Sequence, residues 1–389
     1  MRFELTEEQK MVVEMARDFA EKEIAPTVEY DDEHHLYRPE ITKKMAELGL
    51  LGFAIKEEYG GNGMGFMEGV LAFEEISAVH AAWRLPLNMQ AWGPAYTIQR
   101  YGTEKQKQEF IEKFVTAEYT GSFAITEPNS GSDVVSMNTT AVDKGDYFEL
   151  NGQKMWISNG HVTDWGLVYA MTDKAARYKG MTCFLVNYKW EGVTANPIHT
   201  KFGLHAAPTS EVVFENVKVP KEYVLGQVGQ GFPICMWQLN NTRLGCALAG
   251  VGIALASLRA SIQYANERTQ FGKKIGAYQL IQEQIVEIHL LHHAARMACL
   301  EAGYLKDHNL PNQLQTSTAK LAAAHAAVTG ANLCMKIHGS YGYSTEYPCG
   351  RLLRDAKSME ILEGTSNIQT GIIAGILLGD APNRSTNDV

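Results

Sequence analysis

The period of the apolar positions changes twice along the chain. From Leu5 to about Glu118 it is helical. Met11, Val12, Met15, Ala16, Phe19 and Ala20 share a face behind Thr6-Glu7-Glu8, which reads as an N-cap with an acidic first turn. The same spacing predicts helices over about 39–48, stopped by Gly49, and over 66–79, 86–101 and 104–116, the last opened by Thr103. Between about Tyr119 and Val228 short alternating or β-branched runs take over, at 147–151, 167–171, 182–187 and 211–215, with Gly, Asn, Asp and Pro between them. That texture predicts a small antiparallel β domain. From about Phe232 to Gly379 longer helices return, over 239–268, 277–307, 312–341 and 352–378, the last interrupted near Glu363-Gly364. The final stretch, Asp380–Val389, reads as frayed.

The fold class is therefore α+β, in three blocks: an N-terminal helical domain over 1–118, a middle β domain over 119–230 and a C-terminal helical domain over 231–389. A Rossmann enzyme needs alternating β and α units, which are absent from this order. Gly250-Val-Gly252 lacks a third glycine and sits in a helical pattern, where close helix packing explains it better. Gly272-Lys273 is no phosphate loop either, because Glu267 stands where the first glycine belongs.

Composition narrows the class further. With 389 residues, 45% apolar and 20% charged, the chain has the makeup of a globular protein of several domains. A net charge of −9 and the lack of a basic run argue against nucleic acid, although a few pocket arginines can still hold an anionic ligand. The six cysteines (Cys183, Cys235, Cys246, Cys299, Cys334, Cys349) form no CxxC pair and read as buried thiols of a reducing compartment. No run of about 18 apolar residues argues for membrane insertion, and after Met1-Arg2 an acidic amphipathic segment begins where a signal would stand. The expectation is a cytoplasmic protein of a bacterium or archaeon.

Four patches could carry chemistry. Phe123-Ala-Ile-Thr-Glu-Pro-Asn-Ser-Gly-Ser-Asp133 joins turn formers to hydroxyl and amide groups, and suits either a cradle for a phosphate or ring edge, or an exposed β-turn. Lys154-Met-Trp156-Ile-Ser158 places Trp156 and Ser158 on one side of a strand by alternation, as core packing also would. Arg268-Thr-Gln-Phe-Gly272 ends a long helix, as a C-terminal cap or as a pyrophosphate clamp. Glu363-Gly-Thr-Ser366 sets an acid beside a flexible turn in an apolar region, where most such acids are simply solvated. His289 and His293 are one turn apart but lack a third ligand, so no metal is expected. No GxSxG elbow exists.

In this order, on this layout, the patches resemble the flavin-dependent acyl-CoA dehydrogenases over nearly the whole chain, Leu5 to about Leu378. The resemblance rests on Ala124-Ile-Thr-Glu-Pro-Asn-Ser-Gly-Ser-Asp133, Trp156-Ile-Ser-Asn159, Arg268-Thr-Gln-Phe-Gly272, Gly342-Tyr-Ser-Thr-Glu-Tyr-Pro348 and Arg354-Asp-Ala-Lys357 with Glu363-Gly-Thr-Ser366. It implies the acyl-CoA dehydrogenase fold, ending in a four-helix bundle, with FAD as cofactor. Phe123, Ile125, Thr126, Gly131, Ser132, Trp156 and Ser158 match the stretches that hold FAD, and Thr365, Ser366 and Asn367 its last contacts. Arg268, Gln270, Phe271, Gln279, Lys336 and Gly339 match a segment reaching the FAD of a neighbouring subunit, which implies a homotetramer built as a dimer of dimers. Many relatives have glutamine where Lys336 stands. Ser132, Asn240, Arg243 and Gly364 match positions lining the acyl-CoA channel, and many straight-chain relatives have Asp at the place of Asn240.

The resemblance makes Glu363 the catalytic base. A thioester α-C–H is too weak an acid for a carboxylate in water, so the enolate-like transition state needs hydrogen bonds to the thioester oxygen. In the family they come from the base's own backbone N–H and an FAD ribityl hydroxyl, while exclusion of water strengthens the base. The β-hydrogen leaves as hydride to the flavin, the product is a trans-2-enoyl-CoA, and electrons pass to an electron-transfer flavoprotein.

Within the family the chain looks most like glutaryl-CoA dehydrogenases. Arg84, in Trp83-Arg-Leu-Pro-Leu-Asn-Met89, matches the arginine that binds the distal carboxylate of a dicarboxylyl-CoA. Decarboxylating members have Tyr just before the base and Glu seven residues before that arginine, where this chain has Leu362 and Ser77. The expected enzyme thus stops at the 2-enoyl stage, as suits anaerobic degradation. A benzylsuccinyl-CoA type of aryl-succinyl thioester or a cyclic acyl-CoA fits the same pattern, with Trp83, Trp92 and Leu362 near the pocket. An acyl-CoA oxidase and a flavin-free binding protein are the rivals from other classes.

Overall fold

The computed structural model describes Glu4–Ser385. Met1-Arg2, at the expected signal-free start, and Thr386–Val389 of the tail lie outside the described residues.

The N-terminal helices are α1 (Glu7–Phe19), α2 (Val28–His34), α3 (Pro39–Glu47), α4 (Phe66–Val79), α5 (Arg84–Ala91), α6 (Pro94–Tyr101) and α7 (Glu104–Val115). Their ends follow local chemistry. Thr6 and Thr103 each form a capping box with a glutamine three residues on. Gly49, at φ +74°, closes α3 in a Schellman turn, its N–H on the Ala46 carbonyl and that of Leu50 on Met45. The single helix expected over 86–101 is instead two. Pro94 has no N–H to continue α5 and opens α6 at its first position, while a Cβ on Gly93 would lie 2.4 Å from the Met89 carbonyl oxygen.

The middle block holds β1 (Gly121–Ala124), β2 (Thr140–Asp143), β3 (Tyr147–Ser158), β4 (Trp165–Met171), β5 (Met181–Asn187), β6 (Val193–Pro197), β7 (Thr209–Pro220) and β8 (Val224–Leu225). They form one sheet in the order β6-β7-β3-β2-β4-β5-β8, with β1 added beside β4. The sheet is mixed: β1 runs parallel to β4, and β2 touches β4 in parallel at Thr140 and Met171, while the other pairs are antiparallel.

Then follow α8 (Gly231–Glu267), a ribbon of β9 (Thr269–Gln270) and β10 (Lys273–Lys274), α9 (Gln279–Asp307), α10 (Gln313–His338), α11 (Cys349–Ser358) and α12 (Ser366–Leu377). The helix expected over 352–378 is broken in two around Glu363. Helix α8 is apolar and long enough to cross a membrane, but it is a core helix with most of its apolar window buried. Gly250 and Gly252 let it pack closely: a Cβ on Gly250 would sit 2.7 Å from the Ala323 carbonyl oxygen, and one on Gly252 2.5 Å from Ser77 Cβ. The fraying expected from Asp380 is not seen as far as Ser385, because Asn312 and Gln313 N–H donate to the Arg384 carbonyl and Ser385 bridges Pro311.

Both helical blocks share one core, in which Phe73, Trp83 and Trp92 meet Leu244, Ala247 and Ala319. Asp307, at the end of α9, accepts from Phe66 and Met67 N–H and so caps α4 across the two blocks. This shared packing fixes α5 against α8, the frame of the candidate site. Trp92, expected near the pocket, is core: its ring stacks on Phe73 with centroids 4.4 Å apart.

Candidate active site

Glu363 lies in the turn between α11 and α12 with φ +56°, a left-handed conformation costly for a side chain with a Cβ. The turn is held from several sides. Arg243 Nε and Gln369 Nε2 donate to the Glu363 carbonyl at 3.0 and 3.2 Å. Lys320 Nζ and Gln369 Nε2 donate to the Gly364 carbonyl at 2.7 and 3.0 Å. Thr365 caps α12 through Ile368 N–H. Gly364, at φ +95°, has no room for a Cβ, which would meet Gln369 Nε2 at 2.5 Å. Burial lowers the pKa values of Arg243 and Lys320 from their ordinary range.

The carboxylate faces α5 and α8. Thr242 Oγ1 donates to Oε2 at 2.8 Å and Asn88 Nδ2 to Oε1 at 3.4 Å, while Arg84 Nη1 lies 3.8 Å from Oε1. Asn88 follows Arg84 by one helical turn, so both side chains leave the same face of α5. Gly245 makes room for it, since a Cβ there would sit 2.3 Å from Asn88 Oδ1. Arg84 is 1% exposed, and none of its three guanidinium nitrogens finds a hydrogen-bond acceptor among the described residues. A buried, permanently charged fork without an acceptor is costly, and a bound anion would relieve the cost. Asn240, a turn before Arg243, donates Nδ2 to Asn312 Oδ1 and accepts from buried Lys306 at its backbone carbonyl, while its buried Oδ1 has no partner among the described residues.

On the sheet, Phe123 and Ile125 lead into a turn closed by Glu127 and Ser130, which bond to each other through their backbones. The base of this turn is a buried ion pair. Lys154 Nζ contacts Glu127 Oε1 at 2.9 Å and the Ile125 carbonyl at 3.0 Å, and Glu127 also accepts from Asn138 and Thr139 N–H. Burial pulls Lys154 down to about 8. Gly131 and Ser132 project outward, and a Cβ on Gly131 would meet nothing within 4 Å. Trp156 and Ser158 are both more open than the buried Ile157 between them, as the alternation expects, but the strand is not regular before them. A bulge between Lys154 and Ile157 puts Trp156 at φ +63°, with Lys154 buried and Trp156 52% exposed, although the two would share a face in a regular strand.

Arg268, Gln270, Phe271, Gln279, Lys336 and Gly339 form a separate patch beyond the end of α8. Arg268 is that helix's C-cap, and its guanidinium lies 5.4 Å from the Tyr341 ring centroid. Tyr278 Oη donates to the Gln270 carbonyl, and Phe271 stands 94% exposed. Thr365 and Asn367 belong to the Glu363 turn instead. His289 and His293 are exposed, their ring centroids 6.1 Å apart. The sequence singled out neither Asn88, Thr242, Lys320 nor Gln369. The available signal was a polar residue inside an apolar helical run, which when buried must have a partner.

Family models for the N-terminal, middle and C-terminal domains of acyl-CoA dehydrogenases match residues 6–118, 122–217 and 229–378. The chain is 44% identical to a glutaryl-CoA dehydrogenase of Desulfococcus multivorans over 384 residues, covering 97% of this chain and 98% of that protein. The solved structure of a glutaryl-coenzyme A dehydrogenase in its glutaryl-CoA complex superposes with a TM-score of 0.97 at 43% identity, covering 99% of each chain. A chain from a study of the electron transferring flavoprotein of Acidaminococcus fermentans superposes with a TM-score of 0.95 at 38% identity, over 97% of this chain and 100% of that one. The fold, the domain matches and these relatives together place the chain in the acyl-CoA dehydrogenase family, FAD-dependent oxidoreductases acting on acyl-CoA thioesters.

Proposed function

We propose that this acyl-CoA dehydrogenase takes a short dicarboxylyl-CoA of the glutaryl type and releases the 2-enoyl-CoA without decarboxylation. The observation that carries this reading is Arg84: buried, without an acceptor, and 3.8 Å from the carboxylate of Glu363. A substrate whose α-carbon meets Glu363 while its distal carboxylate meets Arg84 must be short, because the two groups are neighbours. The glutaryl-CoA dehydrogenase relatives support the same substrate class.

Glu363 abstracts the α-proton. Thr242 and Asn88 orient its carboxylate, and Arg243, Gln369 and Lys320 pin the turn that presents it. The chain's groups fit FAD: the hydroxyls of Thr126, Ser132 and Ser158 and the indole of Trp156 offer uncharged donors for a flavin edge, and Arg268 a cation for a pyrophosphate. When bound, FAD supplies the hydride acceptor. The exposed indole of Trp156 supports transfer of electrons to an electron-transfer flavoprotein docking there. Decarboxylation is disfavoured because Leu362, packed against an alanine-rich cluster, carries no hydroxyl, and Ser77 brings no charge to the α4 position expected for an acid.

The exposed Arg268–Phe271 patch supports a homotetramer in which that patch, with Gln279, Lys336 and Gly339, completes the FAD site of a neighbour. Leu280 and Leu290 on α9 are also largely exposed, a surplus of apolar surface that suits an interface. The test is an anaerobic titration with glutaryl-, butyryl-, benzylsuccinyl- and cyclohexanecarboxyl-CoA, following flavin bleaching and identifying products by mass. Bleaching by glutaryl-CoA with glutaconyl-CoA as product is expected. Bleaching by neutral or cyclic thioesters alone would reject the dicarboxylate reading.

A further inference from the structure

We propose that Cys334 and Cys349 are a reversible dithiol–disulfide pair that tethers the segment between them. Cys334 lies in the last turn of α10 and Cys349 opens α11. Both are fully buried, and their sulfurs are 3.7 Å apart with no atom between them. His338, one turn after Cys334, brings Nδ1 to 3.8 Å from its sulfur, and its ring stacks on Tyr264. No CxxC spacing announced the pair; the fold brings the two sulfurs together.

The other thiols are different. Burial raises Cys183, Cys235 and Cys299, which keeps them protonated and inert. Cys334 is held down instead, first by its hydrogen bond with Cys349 and then, against burial, by His338. Among the described residues Cys334, His338 and Cys349 also form the one group spaced to hold a metal ion. However, the group offers three ligands where a structural zinc takes four.

The chemistry balances with a peroxide or a small-molecule disulfide as oxidant. The Cys334 thiolate attacks the oxidant, and the Cys349 sulfur then displaces the leaving group from Cys334. One S–S bond forms, the two thiols give up two protons and two electrons, and the oxidant is reduced to water or to two thiols. The sulfurs need only close from 3.7 Å to about 2.05 Å. The bridge would clasp the 3-10 turn Gly339–Tyr343 together with Lys336 and with Tyr341, the ring under Arg268. This consequence rests on the reading that Lys336 and Gly339 meet a neighbour's FAD; oxidation should then slow FAD release.

The experiment oxidises the FAD-loaded protein with hydrogen peroxide or oxidised glutathione, blocks free thiols under denaturing conditions and maps peptides by mass. Flavin fluorescence follows FAD release in parallel. A dithiothreitol-reversible Cys334–Cys349 peptide is expected, with FAD release slowed roughly threefold or more in the wild type and unchanged in Cys349→Ser and Cys349→Ala. Full alkylation of both cysteines after oxidation would overturn the pair. Release of an equivalent of zinc by a mercurial would show a metal site in its place. A linked peptide with unaltered FAD release would reject the tether. In the reduced protein, Arg268→Ala separately tests the neighbour-FAD reading, which fails if FAD release is unmoved, whatever the thiols do.

Discussion

Helix α8 serves two places that are finished to different degrees. About a third of the way along it, Thr242 and Arg243 hold Glu363, whose turn is also tied to α5, α10 and α12. At its end, roughly 37 Å of helix beyond Arg243, Arg268 and Phe271 stand at an open surface. The first place is over-determined within one chain: its left-handed glutamate persists because several donors fix it. The second offers a cation and an aromatic ring with little to act on. On the roles proposed above, the base is built into the core because it needs positional precision, whereas a group serving a second copy stays outside until assembly.

The largest effect should come from the enclosed place. Glu363→Gln keeps the shape of the side chain and removes the base. Turnover should fall about 10²- to 10⁴-fold while yellow FAD is retained. Absence of α-proton exchange with solvent deuterium would assign the loss to proton abstraction, and retained exchange would remove Glu363 from that role.

Arg84→Ala sharpens the same place. Against a glutaryl thioester, loss of a buried charge partner should lower kcat/KM by roughly 30- to 1,000-fold, and against butyryl-CoA by only a few-fold. Equal losses would mean that Arg84 serves Glu363 and not the substrate.

The two places also differ in how far the sequence revealed them. Glu363 and Arg268 stand in contiguous motifs, and they and Arg243 were singled out by resemblance. Asn88, Thr242, Lys320 and Gln369 come from four different helices, and only the packing of α5 on α8 and of α10 on α12 brings them to one turn. The broad order of helices and strands was legible because apolar period is local. The split at Gly93-Pro94, the bulge at Trp156 and the docked tail at Arg384 were not, since each depends on a specific backbone contact or on a partner distant in sequence.

Arg268→Ala probes the open place. Removing a charge-assisted contact should weaken FAD binding by about 10- to 100-fold, and apo-protein should accumulate during dilution and filtration. Sedimentation at matched FAD saturation separates loss of cofactor from loss of assembly. A variant that retains FAD as a monomer would show that the patch does not complete a neighbour's site.

The smallest effect concerns the sheet that carries the candidate flavin loop. Lys154 is fully buried and lowered to about 8, first by desolvation, although Glu127 opposes the shift. Its ordinary value is 10.5, so between these two values the unfolded chain binds more protons than the folded one. The folded state therefore gains stability as pH rises from about 8 towards 10.5, the reverse of a lysine that gains from its partner. The gain is bounded at about 3 kcal/mol. Lys201, also lowered to about 8 by burial, contributes in the same direction. Replacing the ion pair by Glu127→Gln with Lys154→Met leaves Lys201 in place and avoids stranding a lone charge. Urea unfolding from pH 7.5 to 10.5 should then show a wild-type stability curve that rises more steeply than that of the double variant. Parallel curves would mean that Lys154 keeps an ordinary affinity for its proton in the folded protein, and that the 125–139 loop is held without a buried charge under strain.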